Sequence, residues 1–150
     1  NTDLRGGPSF VPVAPDTGRS VMVVESDVAM QDIFRQGLKR AGYRVLVIAD
    51  PARAAGWCRQ NASVADCVIF NARQIGQPAL EMFNQLGTDA ITQSMPAMLL
   101  LDEAQHAWKS QARTARHRVV LPLPITMKQL RATLAALAPA KFKVASGGSD

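Results

Sequence analysis

The sequence predicts an α/β domain, a doubly wound five-stranded parallel sheet in the order 2-1-3-4-5 with helices on both faces. Three observations predict it. Five short apolar runs rich in β-branched residues recur between residues 19 and 138. The runs are continuous rather than alternating, as expected of strands covered on both sides. Each is followed by a stretch with helical spacing, and right-handed crossovers turn that repeat into one parallel sheet.

The first run is Val21–Val24. Behind it Met30, Ile33, Phe34, Leu38 and Ala41 share one face of a helix that Asp27 caps and Gly42 closes. The second run, Val45–Ile48, leads into Asp50-Pro51, a cap and a first-turn proline for a helix that turns Ala55 and Cys58 inward. The third is Cys67–Phe70; Pro78 opens the helix after it, with Leu80, Phe83 and Leu86 on one face and Gly87 at its end. After Met98–Leu101, a weaker fourth helix is outlined by Ala104, Trp108, Gln111 and Ala115. Val119–Leu121 is the last strand, and Met127, Leu130, Leu134 and Leu137 form one apolar stripe behind it. Trp57 and Met82 read as packing residues.

Residues 1–18 carry Gly6, Gly7, Pro8, Pro12, Pro15 and Gly18 without periodicity and read as a linker. Residues 139–150 end in Ser-Gly-Gly-Ser-Asp and read the same way, although Phe142 and Val144 could dock. A domain between two linkers is expected to be a module of a longer protein.

With 47% hydrophobic residues in 150, the chain has enough apolar material for a single core, which excludes disorder throughout. No stretch approaches the ~20 apolar residues of a membrane span, and no signal peptide opens the chain, so a cytoplasmic protein is expected. Cys58 and Cys67 make neither a disulfide framework nor a zinc motif and read as reduced core residues. Seventeen Lys and Arg against twelve Asp and Glu leave a net charge of +5. The basic residues are spread over several segments: Arg35–Arg44, Arg53 and Arg59, and Lys109–Arg118. Aromatics are 5%, too few for a stacking platform, and nucleic-acid binding is not expected.

In this class of sheet the ligand site lies beyond the carboxyl ends of the strands, where strands 1 and 3 adjoin. That rule selects Glu25, Ser26 and Asp27 after strand 1, Asn71 after strand 3, Asp102 after strand 4 and Leu123-Pro124 after strand 5.

Those residues carry a resemblance. Val-Met-Val-Val-Glu-Ser-Asp (21–27), ahead of an amphipathic helix, resembles the opening of a response-regulator receiver domain of two-component signalling. Asn-Ala-Arg-Gln-Ile-Gly-Gln-Pro-Ala-Leu-Glu-Met (71–82) has the spacing that follows that family's phospho-acceptor aspartate. Pro96 and Leu123-Pro124 complete the register over residues 19–138. The resemblance implies the receiver form of the flavodoxin-like fold in a bacterial signalling protein. It implies, too, an acidic pair after strand 1, an aspartate ending strand 3, a Ser or Thr ending strand 4 and a lysine ending strand 5. In the family the carboxylates bind Mg²⁺, which neutralises the transferring phosphoryl group, and the strand-3 carboxylate is the nucleophile. The hydroxyl and the ammonium hold the new phosphoryl oxygens.

This chain departs from that set. Glu25 keeps the first acid, but Ser26, Asn71, Leu101 and Leu123 replace the other four groups, and Val120 stands at the aromatic switch position. An amide cannot form the acyl phosphate, and two leucines desolvate the pocket, which disfavours a dianion. The expectation is a pseudo-receiver: no enzyme, no cofactor, Mg²⁺ binding weak or absent, signalling by protein contact with a linked or partner output domain. The contact face is expected on the fourth helix, strand 5 and last helix, with Trp108, Lys109, Arg113, Val120 and Lys128, and a homodimer through it is possible. The alternative for Trp108 is packing on the sheet edge. Arg73 is weighed as a cation pairing with Glu25 or Asp27, against an exposed loop arginine; Asn71 is expected to cap the loop after it. His106 and His117 read as surface residues. Two rival readings stand beside this one: a flavodoxin-like small-molecule binder, which the negative Glu-Ser-Asp loop disfavours, and a receiver phosphorylated at an unusual residue such as Ser26.

Overall fold

A computed structural model describes residues 14–141. Its elements run β1 (Ser20–Val24), α1 (Val28–Arg40), β2 (Arg44–Ile48), α2 (Pro51–Gln60), β3 (Cys67–Asn71), α3 (Ala72–Ile75), α4 (Gln77–Thr88), β4 (Ala97–Leu101), the 3-10 segment η1 (Glu103–Gln111), β5 (Arg118–Pro122) and α5 (Met127–Leu137). All strand pairs are parallel, and the order is β2-β1-β3-β4-β5. This is the predicted sheet.

The continuous apolar runs follow from its two covered faces. Val21, Val23, Ile69, Met98 and Leu100 point to one side, where they meet Phe34 and Leu38 of α1 and Leu130 and Leu134 of α5. Met22, Val24, Val68, Phe70 and Leu99 point to the other, against Cys58 of α2 and Phe83 and Leu86 of α4. Strand pleating assigns successive side chains to opposite faces, so a two-sided core demands apolar residues at every position. Trp57 and Met82 pack against the second cluster, as read. Both cysteines are free and buried; burial pushes the Cys58 thiol up to about 11 and that of Cys67 to about 12, which leaves both protonated and inert.

Capping follows the sequence. Asp27 Oδ2 accepts from the Met30 amide and Asp50 Oδ1 from the Ala52 amide, each at 3.0 Å. Gly42 closes α1 at φ +93°, where a side chain would also strike the Pro15 carbonyl.

The fourth helical segment differs. It is a 3-10 helix ending at Gln111, and Ala115 lies beyond it, bridged to Arg118. Inside it Gln105 is buried and Trp108 half-buried, and a three-residue inward spacing suits three residues per turn better than 3.6. Asn84 of α4 fixes the exit: its Nδ2 donates to the Gln111 carbonyl at 3.0 Å and its Oδ1 accepts from the Arg113 amide at 2.7 Å. The short turn α3 was not foreseen.

Gly87 does not end α4 but lies within it, beneath Arg118. Arg118, grouped in the sequence with surface cations, is 3% exposed. Its guanidinium stacks 4.0 Å from the Phe83 ring, Nε donates to the Arg113 carbonyl at 3.0 Å, and Nη2 donates to the Phe83 carbonyl. Nη1 is buried without a partner. Desolvation, with Arg113 close by, pulls its pKa down to about 10, so it remains charged at neutral pH.

The described fold reaches past 19–138 at both ends. The Ala14 amide donates to the Arg40 carbonyl at 2.7 Å, the Thr17 amide to that of Gly42 at 2.8 Å, and the Lys141 amide to that of Thr17 at 2.7 Å. Residues 14–18, read as linker, are thus tied to the end of α1 and the turn after it, and Lys141 is tied to Thr17; residues 1–13 and 142–150, with Phe142 and Val144, lie outside the described residues. No helix among the described residues is long and apolar enough to cross a membrane.

The Gly87–Arg118 contact is testable. A Cβ on Gly87 would stand 2.6 Å from Arg118 Nε. Helix propensity alone makes Gly→Ala stabilising by roughly 0.5–1 kcal/mol. Gly87→Ala is instead expected to cost about 1–3 kcal/mol in urea unfolding, because the pinned guanidinium cannot yield. A gain in stability would mean that Arg118 moves freely.

Candidate functional site

The strand register gathers the selected residues. Val24 pairs with Phe70 and Asn71 with Leu100, so Glu25 and Asn71 emerge side by side at the carboxyl end of the sheet. Leu101 ends β4, and the Leu123 amide donates to its carbonyl at 2.8 Å. Leu123-Pro124, joined by a cis peptide, closes the far side.

Glu25 is the centre. It has no exposed surface, yet it carries a carboxyl group. Its Oε1 accepts from Asn71 Nδ2 at 2.6 Å and its Oε2 from the Asp27 amide at 3.0 Å. Gln31 Nε2 holds the Glu25 carbonyl at 2.7 Å, tying α1 to the same point. Desolvation pushes the Glu25 carboxyl up, and the nearby Asp27 charge adds to that; the hydrogen bonds from Asp27, Asn71 and Ser26 oppose it.

Asn71 is 2% exposed and uses both ends of its amide. While Nδ2 serves Glu25, Oδ1 accepts from the Arg73 amide at 3.3 Å and caps the segment after it, which is the helical turn α3 where the sequence suggested a loop. Arg73 itself is exposed and forms no ion pair with Glu25 or Asp27 among the described residues. It is exposed, as in the plainer reading, but it sits in α3 rather than on a loop. Ser26 is exposed, Asp27 is committed to capping α1, and Leu101 is 2% exposed.

Gln105 escaped the sequence reading. Its Nε2 donates to the Ala72 carbonyl at 2.7 Å, joining the segment after β4 to the one after β3. Asp102 and Gln105 also form a reciprocal capping box. The Asp-x-x-Gln spacing was legible as a helix start; the reach to Ala72 was not.

Of the expected contact face, Lys109, Arg113 and Lys128 are exposed, Val120 is half-buried, and Trp108 packs against the sheet-side cluster. His106 is exposed, and a ring nitrogen of His117 lies 2.7 Å from the Gln93 carbonyl. Among the described residues no group of three or more His, Cys, Asp or Glu is placed to hold a metal ion.

Chemically, this end of the sheet offers a buried carboxylate paired with an amide, leucine at the end of β4 and after β5, and no nucleophilic carboxylate at the end of β3. The sign of the Glu25 effect can be worked through. A folded pKa raised above the ordinary 4.5 means that the folded chain holds this proton more tightly than the unfolded one. The contribution is therefore complete below that value and is lost as pH rises through the folded pKa. Glu25→Gln keeps an acceptor for Asn71 and removes the titration. In urea unfolding, the stability of the native chain relative to Glu25→Gln is expected to fall as pH climbs from about 4 to about 8. A difference flat with pH, or growing with it, would contradict the burial of this carboxyl.

No protein-family model and no curated protein matches the sequence. Solved structures do match its fold. The receiver domain of sensor histidine kinase PA1611 from Pseudomonas aeruginosa, solved with a magnesium ion in its active-site cleft, superposes at TM-score 0.68 with 18% identity, over 81% of this chain and 98% of that one. Chemotaxis protein CheY4 of Vibrio cholerae gives 0.61 and 19%, over 83% and 99%. An adenylate cyclase structure from Rhodopirellula baltica gives 0.65 and 14%, over 79% and 87%. With the parallel β2-β1-β3-β4-β5 sheet, these likenesses establish that the chain has the fold of response-regulator receiver domains.

Proposed function

We propose that this domain is a receiver-like signalling module that works without accepting a phosphoryl group and acts by binding protein, either an output domain of its own polypeptide or a separate partner. The observation that carries the reading is the Asn71–Glu25 hydrogen bond. At the end of β3, where a receiver needs a nucleophilic carboxylate, an amide N–H points at the one retained acid. An acyl phosphate needs a carboxylate oxygen to attack phosphorus, and no such oxygen stands there.

The other replacements support it. A phosphoryl dianion entering the pocket would meet Leu101 and Leu123 where a hydroxyl and an ammonium would otherwise neutralise it. The Pseudomonas receiver domain holds magnesium in its cleft. In this chain both Glu25 oxygens already accept protein N–H groups, Asp27 caps a helix, and Ser26 brings no charge. Mg²⁺ favours one or two free carboxylates with phosphate and water completing an octahedron, so these residues do not fit it. The domain is accordingly read as non-enzymatic, cytoplasmic and bacterial. Its contact surface is the edge built by η1, β5 and α5, around Trp108, Lys109, Arg113, Val120 and Lys128.

Incubation with acetyl phosphate, or with beryllofluoride, each with Mg²⁺, decides the matter. The native chain is expected to gain no phosphate by intact mass and no thermal stabilisation. The variant carrying Ser26→Asp, Asn71→Asp, Leu101→Thr and Leu123→Lys is expected to gain Mg²⁺-dependent stabilisation, since it restores each missing group. A saturable response of the native chain, at Ser26 or elsewhere, would overturn the proposal.

A further inference from the structure

Charge is unevenly distributed along this chain. Between Glu103 and Lys141, the last described residue, there are seven Lys and Arg and no Asp or Glu, whereas residues 1–103 carry nine against eleven. The acid-free stretch builds most of η1, the loop after it, the edge strand β5 and α5. The basic residues are dispersed in sequence, but from Ala104 to Lys141 no carboxylate is interleaved with them; Glu103, which opens η1, is the nearest in sequence.

Lys109, Arg113 and Arg116 are exposed there, and among the described residues none of them forms an ion pair. Arg118 lies buried beneath the same loop, also without a carboxylate, and the charge acting on it is that of Arg113. Trp108 and Val120, both half-buried, add an apolar centre. An aromatic and arginines over a partly apolar centre are the composition of a protein-binding patch.

The same charges select against self-pairing. A twofold contact places one patch against its own copy, so Lys109, Arg113 and Arg116 would face their equivalents with no acid from this stretch to offset them. Nucleic acid fits less well. Duplex binders commonly neutralise ~6–10 phosphates, and Lys109, Arg113, Arg116 and Lys128 give this surface four exposed cations.

We propose that the β5 edge, with Lys109, Arg113 and Arg116 around Trp108, docks an acidic segment of a different protein rather than a second copy of this chain. The proposal rests on the interaction-module reading and gives its partner a chemistry. Binding is dominated by charge at the rim, so it is fast and salt-sensitive.

The probe is fluorophore-labelled poly-L-glutamate, read by anisotropy against the native chain. Saturable binding is expected, weakening about tenfold from low to physiological salt. The triple variant Lys109→Glu, Arg113→Glu, Arg116→Glu is expected to lose at least about tenfold in affinity. A matched variant, Lys39→Glu, Arg44→Glu, Arg53→Glu, reverses exposed cations elsewhere and is expected to stay within about twofold. Should the triple variant melt early, Lys109→Glu and Arg116→Glu singly are expected to lose about threefold each. Equal losses in both triple variants would overturn the proposal. So would tighter binding of a DNA oligomer of equal charge, or a homodimer in sedimentation that the reversal dissolves. No polyglutamate binding in a chain still inert to beryllofluoride removes only the acidic partner. Binding in a chain that responds to beryllofluoride removes only the phosphorylation-independent reading.

Discussion

A carboxylate with no exposed surface must be satisfied within the protein, and the way Glu25 is satisfied governs the whole carboxyl end of the sheet. One oxygen takes the Asn71 amide and the other the Asp27 backbone N–H. Both donors have a second task, since Asn71 caps α3 and Asp27 caps α1. Removing any member leaves a buried charge or an orphaned helix start, each costing about 1–3 kcal/mol. The pocket is therefore better described as a joint between the two central strands and the helices that follow them than as a vacant active site. An amide suits that joint because it donates to an acid; a second acid at 2.6 Å would repel Glu25 unless a cation stood between them.

Further polar links extend from this joint along the β4 and β5 side. Gln105 binds the Ala72 carbonyl, Asn84 holds both ends of the η1 exit, and Arg118 fastens the next loop to α4. A switch requires an element with two arrangements of similar energy, and a loop becomes such an element when its polar groups can exchange partners. Here they are largely committed to protein partners, with Arg118 Nη1 the buried exception.

The layout was legible because it depends on statistics along the chain. Continuous apolar runs give two-sided strands, Asp27 and Asp50-Pro51 give helix starts, and the β1/β3 rule locates the pocket before any contact is known. What escaped depends on contacts between distant segments. Arg118 reads as one more surface cation, and only the space above Gly87 and the ring of Phe83 reveal that it is buried. Gly87 reads as a stop for the same reason, because a glycine that ends a helix and one that admits a neighbour look alike in sequence. The exit of η1 at Gln111 is fixed by Asn84, 27 residues away. Within the pocket the residue identities were evident, but Gln105 and the division of work on Asn71 became visible only once the loops were placed.

The buried arginine and the exposed ones near it form a single electrostatic unit. Arg118 carries its charge in a desolvated place with Arg113 as neighbour, and its lowered pKa records that cost. Stacking on Phe83 and the two carbonyl bonds offset the cost, as does burial of its aliphatic stem. No carboxylate lies in the sequence from Ala104 to Lys141 to neutralise it, so its field adds to that of Arg113 and Arg116 above. An acid brought to the rim from outside would therefore be attracted by more charge than the exposed side chains alone display. The core contact that pins this loop thus also strengthens the potential of the surface above it.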